Sequence, residues 1–266
     1  MAVPTGADRA DDSADADLRT LRALALTNYG HFTTMLVTDH RVRGLELHLR
    51  RLARDSRALF DTDLDPDAVR ARVRDAVPAR GAAVVRVTVA DPALDLGTVG
   101  EPADPRLLVT TRPAPGTAPP PLRVRTVAHR RTLPEVKSVD LFAAMHLRRA
   151  ALRDGADDVL FTGDGTLLEG STWNVGLVAG DRVVWPAGPA LAGTGRTLLR
   201  AALGDRGSTD EVVPVAGLDR FDAAFATNAT TGVRAISAID GHRFPDVHPV
   251  LTRLAKLHAA APGTAL

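Results

Sequence analysis

Residues 155–178 read GADDVLFTGDGTLLEGSTWNVGLV. Two apolar, β-rich runs at 157–161 and 173–178 predict strands. The Gly- and Asp-rich TGDGTLLEGST at 162–172 between them marks a tight turn. Glu169 is out of character there. The chain holds five glutamates against 27 aspartates, and this one closes an apolar run just before Gly170-Ser171. A strand-end acid in water is one reading of it; a carboxylate recruited for chemistry is the other.

A second scarcity points the same way. Of 33 basic residues only two are lysines, Lys137 and Lys256. Arginine replaces lysine at most solvated positions but stays charged and non-nucleophilic, whereas a lysine amine can lose its proton and form a Schiff base. Lys256 lies in LTRLAKLHAAA, an ordinary C-terminal helical stretch. Lys137 lies in LPEVKSVDLF (133–142), a strand-like piece running into a helix.

At 266 residues and 45% apolar, with net charge +1, the chain can bury one large core or two modest ones. Near-neutral charge and the absence of a dense basic run argue against nucleic acid as a partner; HRR at 129–131 is short. The lack of cysteine excludes disulfides, thiolate catalysis and cysteine-bound metals. No apolar run approaches the roughly 20 residues of a membrane span, and cytoplasm is the default compartment. The acidic, Ala-rich start lacks the basic and apolar regions of a signal peptide, and residues 1–17 are expected to be a disordered tail.

The pattern along the chain is α+β. A short helix or lead-in at 18–26 precedes a strand at 31–38. DHRVRG then turns the chain into an amphipathic helix at 45–60, and a second helix covers 65–77. Strands follow at 82–90 and 106–111. RPAPGTAPPP (112–121) contains five prolines and reads as an extended linker. It divides an N-terminal α+β domain, 18–111, from a C-terminal α/β domain, 122–266. The second part has a strand at 122–128 and a helix at about 139–154. After the central strand pair come a short strand RVVWP, a Gly-rich turn opening a helix at 193–203, a β-rich stretch through RAISAIDG, and a helix after Pro249.

Two further pieces carry chemistry. In HLRRL, Arg50 and Arg51 cannot point the same way on a helix, so one of them can turn toward an anion; two solvated arginines are the other reading. GTGR at 193–196 places Thr194 and Gly195 at a helix start, where free N–H groups and the helix dipole attract anions. Arg51 with Thr194 and Gly195 as a phosphate site, Lys137 as an amine and Glu169 as a carboxylate together suit pyridoxal 5′-phosphate. The amine bonds the aldehyde, the carboxylate keeps the pyridine nitrogen protonated, and the arginine and helix end hold the phosphate.

In that order the motifs resemble the class IV aminotransferases, the fold-type IV pyridoxal-phosphate family. It includes branched-chain and D-amino acid aminotransferases and aminodeoxychorismate lyases. The resemblance runs from about Tyr29 to Gly241, through YGHFTTMLVTDHRVRGLELHLRRL, RTLPEVKS, GADDVLFTGDGTLLEGSTWNVGLV, AGTGRTLL and ATNATTGVRAISAIDG. It implies a two-domain α+β enzyme with the cofactor in the interdomain cleft, and a homodimer whose neighbouring subunit completes each site. Arg51, Thr194, Gly195, Ala229 and Thr230 would bind cofactor, Lys137 would be anchor and general base, and Glu169 would face the ring nitrogen. Phe32 and Thr34, with Thr230, would line the substrate pocket.

There are departures from the family. Lys137-Ser138-Val139-Asp140-Leu141-Phe142 lacks the tyrosine often found after the lysine, and Tyr29 is the chain's only one. Thr194-Gly195 replaces Ile-Thr in the phosphate turn, and Ala229 stands at a commonly hydroxylic position. The Arg-x-His pattern of D-amino acid aminotransferases is absent after Val89, and so is the arginine-rich loop of branched-chain enzymes.

The expected reaction is transamination between an amino acid or small amine and a keto acid. Glu169-Gly170-Ser171 and Asn174 resemble the aminotransferases. Phe32-Thr33-Thr34 resembles the lyases, which release pyruvate and 4-aminobenzoate. A non-catalytic family member is the third reading.

Overall fold

The computed structural model describes residues 6–266, with side chains from residue 15 onward. Two sheets organise it. The smaller is antiparallel and is built from β1 (His31–Thr38), β2 (Arg41–Arg43), β3 (Ala82–Ala90), β4 (Arg106–Pro113) and β14 (Gly263–Ala265), in the order β14-β2-β1-β3-β4. Helices α2 (Leu45–Phe60) and α3 (Pro66–Ala76) share its apolar core. Met35 and Val37 from β1, Val85, Val87 and Val89 from β3, and Leu45, Leu49 and Leu52 from α2 are all buried in that cluster. The two-residue period of the strands and the three-to-four-residue period of the helix deliver these side chains to one layer.

The larger sheet holds β5 (Leu122–Ala128), β6 (Asp158–Gly163), β7 (Thr166–Gly170), β8 (Asn174–Ala179), β9 (Arg182–Pro186), β10 (Ser208–Glu211), β11 (Ala223–Asn228) and β12 (Gly232–Ile239). Their order is β10-β9-β8-β11-β12-β5-β6-β7, with β13 (His242–Arg243) paired to β12. The sheet is apolar on both faces. On β11, Ala224 and Ala226 join one cluster while Ala223 and Phe225 join the other, which α5 (Thr194–Gly207) and α6 (Pro249–Ala260) cover. Helix α4 (Phe142–Arg153) packs on β6.

Several expectations change. Residues 6–17 are not a tail: they begin helix α1 (Gly6–Thr27). The alanines of this stretch favour helix. Residues 1–5 lie outside the described residues. The extended segment begins later than 112, because β4 continues through Pro113, paired with Ala83. Proline is tolerated there because β4 is an edge strand. The last strand leaves the C-terminal half altogether: β14 pairs with β2, and Leu266 is buried in the core of the smaller sheet.

The tight turn expected over 162–172 contains a strand of its own. Asp164 and Gly165 both have positive φ (51° and 73°), the geometry of a two-residue hairpin turn. Residues 166–170 return from it as β7, which carries Glu169. The helix expected from 139 begins at Phe142, so Lys137 sits in a segment without a strand or helix of its own.

Candidate active site

A cavity of about 500 Å³ opens between the two sheets. Phe32, Thr34, Arg51, Arg86, Thr110 and Arg112 line it from the smaller sheet and α2; Glu169, Asn174, Thr194 and Thr227–Thr230 line it from the larger. Lys137 and Arg131 reach it from the irregular segment before α4. Every singled-out site residue is in this wall except Gly195, which stands just behind it. A Cβ on Gly195 would meet Thr227 Oγ1 at 2.6 Å and the Asn228 backbone at 2.9 Å, so the α5 turn approaches β11 more closely than any side chain allows.

Helix α2 separates its two arginines as the periodicity requires: Arg50 is exposed and Arg51 buried. Arg51 donates from NH2 to Thr33 Oγ1, while its Nε has no partner. Burial foremost lowers its pKa to about 10, with Asp55 opposing the shift and Arg54 adding to it, so it remains a cation at neutral pH. Beneath it, Thr33 Oγ1 lies 2.7 Å from His48 Nδ1. Because the guanidinium can only donate, the Thr33 hydroxyl proton is free for the imidazole. Burial first, then Arg51 and Lys137, hold His48 well below the ordinary histidine pKa, so it is neutral.

Across the cavity, Thr194 Oγ1 and Thr227 Oγ1 are also buried without partners. Asn174 sets the start of the α5 turn. Its Nδ2 donates to Leu191 O at 2.8 Å, and its Oδ1 fills the space a Cβ on Gly193 would need. Asn228 Oδ1 accepts from Thr230 N, Thr230 Oγ1 and Thr231 N at 2.8–3.0 Å, closing the 228–231 loop. Thr230 therefore spends its hydroxyl within the loop, and Ala229 offers only backbone.

Glu169 is 6% exposed, which rules out a carboxylate standing in water. Its Oε1 accepts from Arg131 Nε at 2.9 Å and pairs with Arg131 NH2 at 2.7 Å; its Oε2 accepts from Leu191 N at 3.1 Å. Arg131 also donates to Val136 O and Pro134 O, at 3.1 and 2.7 Å. It thereby ties the carboxylate to the lysine segment. Sequence reasoning treated Arg131 only as part of a short basic run; its position six residues before the scarce lysine was the available signal.

The amine of Lys137 lies 4.6 Å from the Phe32 ring centroid, and Arg86 Cζ lies 3.6 Å from the same centroid. Burial foremost, then Arg51 and Arg131, lower the Lys137 pKa to about 7; Glu169 opposes the shift and Arg86 adds to it. Among the described residues Arg86 has no acidic partner; it donates to Thr88 Oγ1 at 3.1 Å. Tyr29 does not replace the missing tyrosine, since its hydroxyl donates to Leu59 O at 2.9 Å, away from the cavity.

The cavity thus presents a partly deprotonated amine, a buried carboxylate, and an anion cradle whose donors lack partners. Residues 30–239 match the model of the family described as amino-transferase class IV. The chain belongs to the class IV aminotransferases. Among solved structures, this class IV aminotransferase is similar to a hypothetical aminotransferase from Mycobacterium tuberculosis in its PLP-bound form (24% identity, 90% of each chain, TM-score 0.75). It is also similar to a fold IV transaminase from Curtobacterium pusillum (26%, 87% and 84%, 0.72). A third is a candidate 4-amino-4-deoxychorismate lyase from Legionella pneumophila (22%, 88% and 91%, 0.75). No curated protein sequence matches the chain.

Proposed function

We propose that this class IV aminotransferase uses pyridoxal 5′-phosphate to move an amino group between an amino acid or small amine and a keto acid. The observation that carries this reading is the convergence of Lys137, Glu169 and three buried, partnerless donors (Arg51 Nε, Thr194 Oγ1 and Thr227 Oγ1) on one cavity. These donors fit a phosphate, and the amine and carboxylate fit the aldehyde and ring nitrogen. When bound, pyridoxal phosphate supplies a conjugated, electron-withdrawing ring that acidifies the substrate's α C–H.

The chain's own residues supply the rest. Arg51, the two threonine hydroxyls and the N–H groups opening α5 hold the phosphate. Glu169, fixed by Arg131 and Leu191 N–H, presents a buried negative charge to a protonated ring nitrogen. Lys137 is the covalent anchor. A pKa near 7 leaves Nζ about half deprotonated at neutral pH, so it can take a proton from carbon and return it. Arg86, held over Phe32 and without an acidic partner among the described residues, is the cation for a substrate carboxylate. Phe32 and Thr34 shape the pocket beside it, and Thr230 and Ala229 border it through the 228–231 loop.

A cleft between an N-terminal and a C-terminal domain and a homodimer complete the reading. Phe142 and Met145 leave 76% and 66% of their surface exposed on α4, next to cavity-lining Leu141 and Ala144. A second copy covering that face would border the site. The compartment we assign is the cytoplasm.

The lyase remains the second reading. Phe32 and Thr34 of the lyase-like segment line the cavity, while Thr33 is engaged beneath Arg51. Purified protein titrated with pyridoxal phosphate should turn yellow, and Lys137→Ala should abolish the visible band. Amino transfer from a panel of L- and D-amino acids to 2-oxoglutarate or pyruvate supports the aminotransferase. Pyruvate release from aminodeoxychorismate without a keto acid selects the lyase. A protein that takes up no cofactor overturns both and leaves a non-catalytic member.

A further inference from the structure

We propose that Asp55 is the positioning residue for Lys137, fixing through the Lys137 peptide N–H the backbone from which the amine reaches the cavity. The proposal rests on the reading of Lys137 as the reactive amine. Residues 129–141 form no strand or helix of their own; a single antiparallel bridge of Ser138 to His31 on β1 is the extent of their ladder pairing. Tertiary bonds fix the lysine instead. Phe32 N donates to Lys137 O and Val139 N donates to Gly30 O, both at 2.9 Å. The remaining group of residue 137, its own N–H, donates to Asp55 Oδ2 at 3.0 Å.

Asp55 has no exposed surface, and a buried carboxylate is costly unless its oxygens are matched. Its Oδ1 takes Arg54 Nε and NH2, at 3.0 and 2.7 Å. Arg54 is half exposed, and an ion pair with it could form at the surface without burying the acid. The oxygen that explains the burial is the one on Lys137. Arg54 also makes an exposed contact with Glu135 O, but the Lys137 N–H is left to Asp55. Asp55 also lies one helical turn beyond Arg51 on α2, so one helix carries both a cavity guanidinium and the clamp on the amine's backbone. The amine therefore keeps its register with Arg51 and Phe32, while Glu169 and the α5 turn belong to the larger sheet.

The test uses the full chain with Asp55→Asn, Asp55→Leu and Arg54→Ala. Asparagine keeps an oxygen for the Lys137 N–H; leucine removes it. Trinitrobenzenesulfonate labelling of cofactor-free protein across pH, read by peptide mass spectrometry, follows Lys137 separately from Lys256. Cofactor release is followed by loss of the visible band. In Asp55→Leu the labelling midpoint should rise by about one unit as the amine leaves its buried, cationic site. Release should quicken about tenfold, the scale of one lost charge-assisted hydrogen bond. Arg54→Ala should leave both within about twofold, and Asp55→Asn should fall between wild type and leucine.

Leucine labelling and release at wild-type values, with lowered thermal stability alone, would make Asp55 purely structural and overturn the proposal. If the leucine variant does not fold, the other two decide. Faster release in Asp55→Asn with Arg54→Ala unchanged supports positioning; equal changes in both place the effect in the ion pair and overturn it. A wild-type chain that binds no cofactor would refute the functional reading, while the labelling midpoints would still judge Asp55.

Discussion

Replacing Gly195 by alanine adds one methyl group where the α5 turn meets the backbone of Asn228 in the anion cradle. An ordinary contact begins at 3.4 Å, so a Cβ at 2.6 Å from Thr227 Oγ1 and 2.9 Å from Asn228 must gain 0.8 and 0.5 Å. The hydroxyl can rotate, but the Asn228 backbone cannot, and it carries the 228–231 loop. Overpacking of this kind costs about 1–3 kcal/mol. Alanine's helix propensity returns at most about 1 kcal/mol, and less at the first turn of α5, so the clash wins. Relief by shifting Asn228 distorts the cradle, and a net loss of about 1.4 kcal/mol is a tenfold weaker phosphate grip. The assay is titration with pyridoxal phosphate and, separately, with pyridoxal. The phosphorylated ligand should weaken about tenfold while pyridoxal stays within about twofold of wild type. Gly116→Ala, with nothing within 4 Å, is the control. Equal loss of both ligands, or no loss of either, refutes the assignment of this turn to phosphate.

Arg131→Met strips Glu169 of its cation and Pro134 and Val136 of their donor, so stability by denaturant titration should fall by about 3 kcal/mol. The Lys137 labelling midpoint should rise, since Arg131 helps to depress it. His31 predicts acid lability. Burial, then Arg51 and Arg54, lower its pKa from 6.5 to about 4. Between those values the unfolded chain binds a proton that the folded chain refuses, so stability is lost as pH falls from 6.5 to 4. A fall from 6.5 to about 4 is worth about 3.4 kcal/mol at most. Denaturant midpoints from pH 7 to 4 should show this slope, and His31→Leu should reduce it, leaving the contribution of His48.

Much of the site was legible because its residues were chemically conspicuous. Lys137 and Glu169 stood out by scarcity, and Arg51 by a helical period that forces adjacent arginines apart. The α5 turn announced itself through glycines at a helix start. Their partners were not conspicuous. Arg131 is one of 31 arginines and Asp55 one of 27 aspartates, and neither has a local pattern that distinguishes it. Thr227 became visible only as a buried hydroxyl without a partner.

The sequence by itself determined what local chemistry determines: most of the runs that are strands or helices, the proline-rich segment to within two residues of its start, and which side chains can act as amine, carboxylate and cation. Only the tertiary structure decided which distant groups meet. Lys137 is clamped by Asp55, 82 residues away; Glu169 is held by Arg131, 38 residues away; and the final strand returns to β2. The physical reason is that periodicity fixes the face a side chain takes on its own element, whereas a partner is fixed by how the sheets and helices pack.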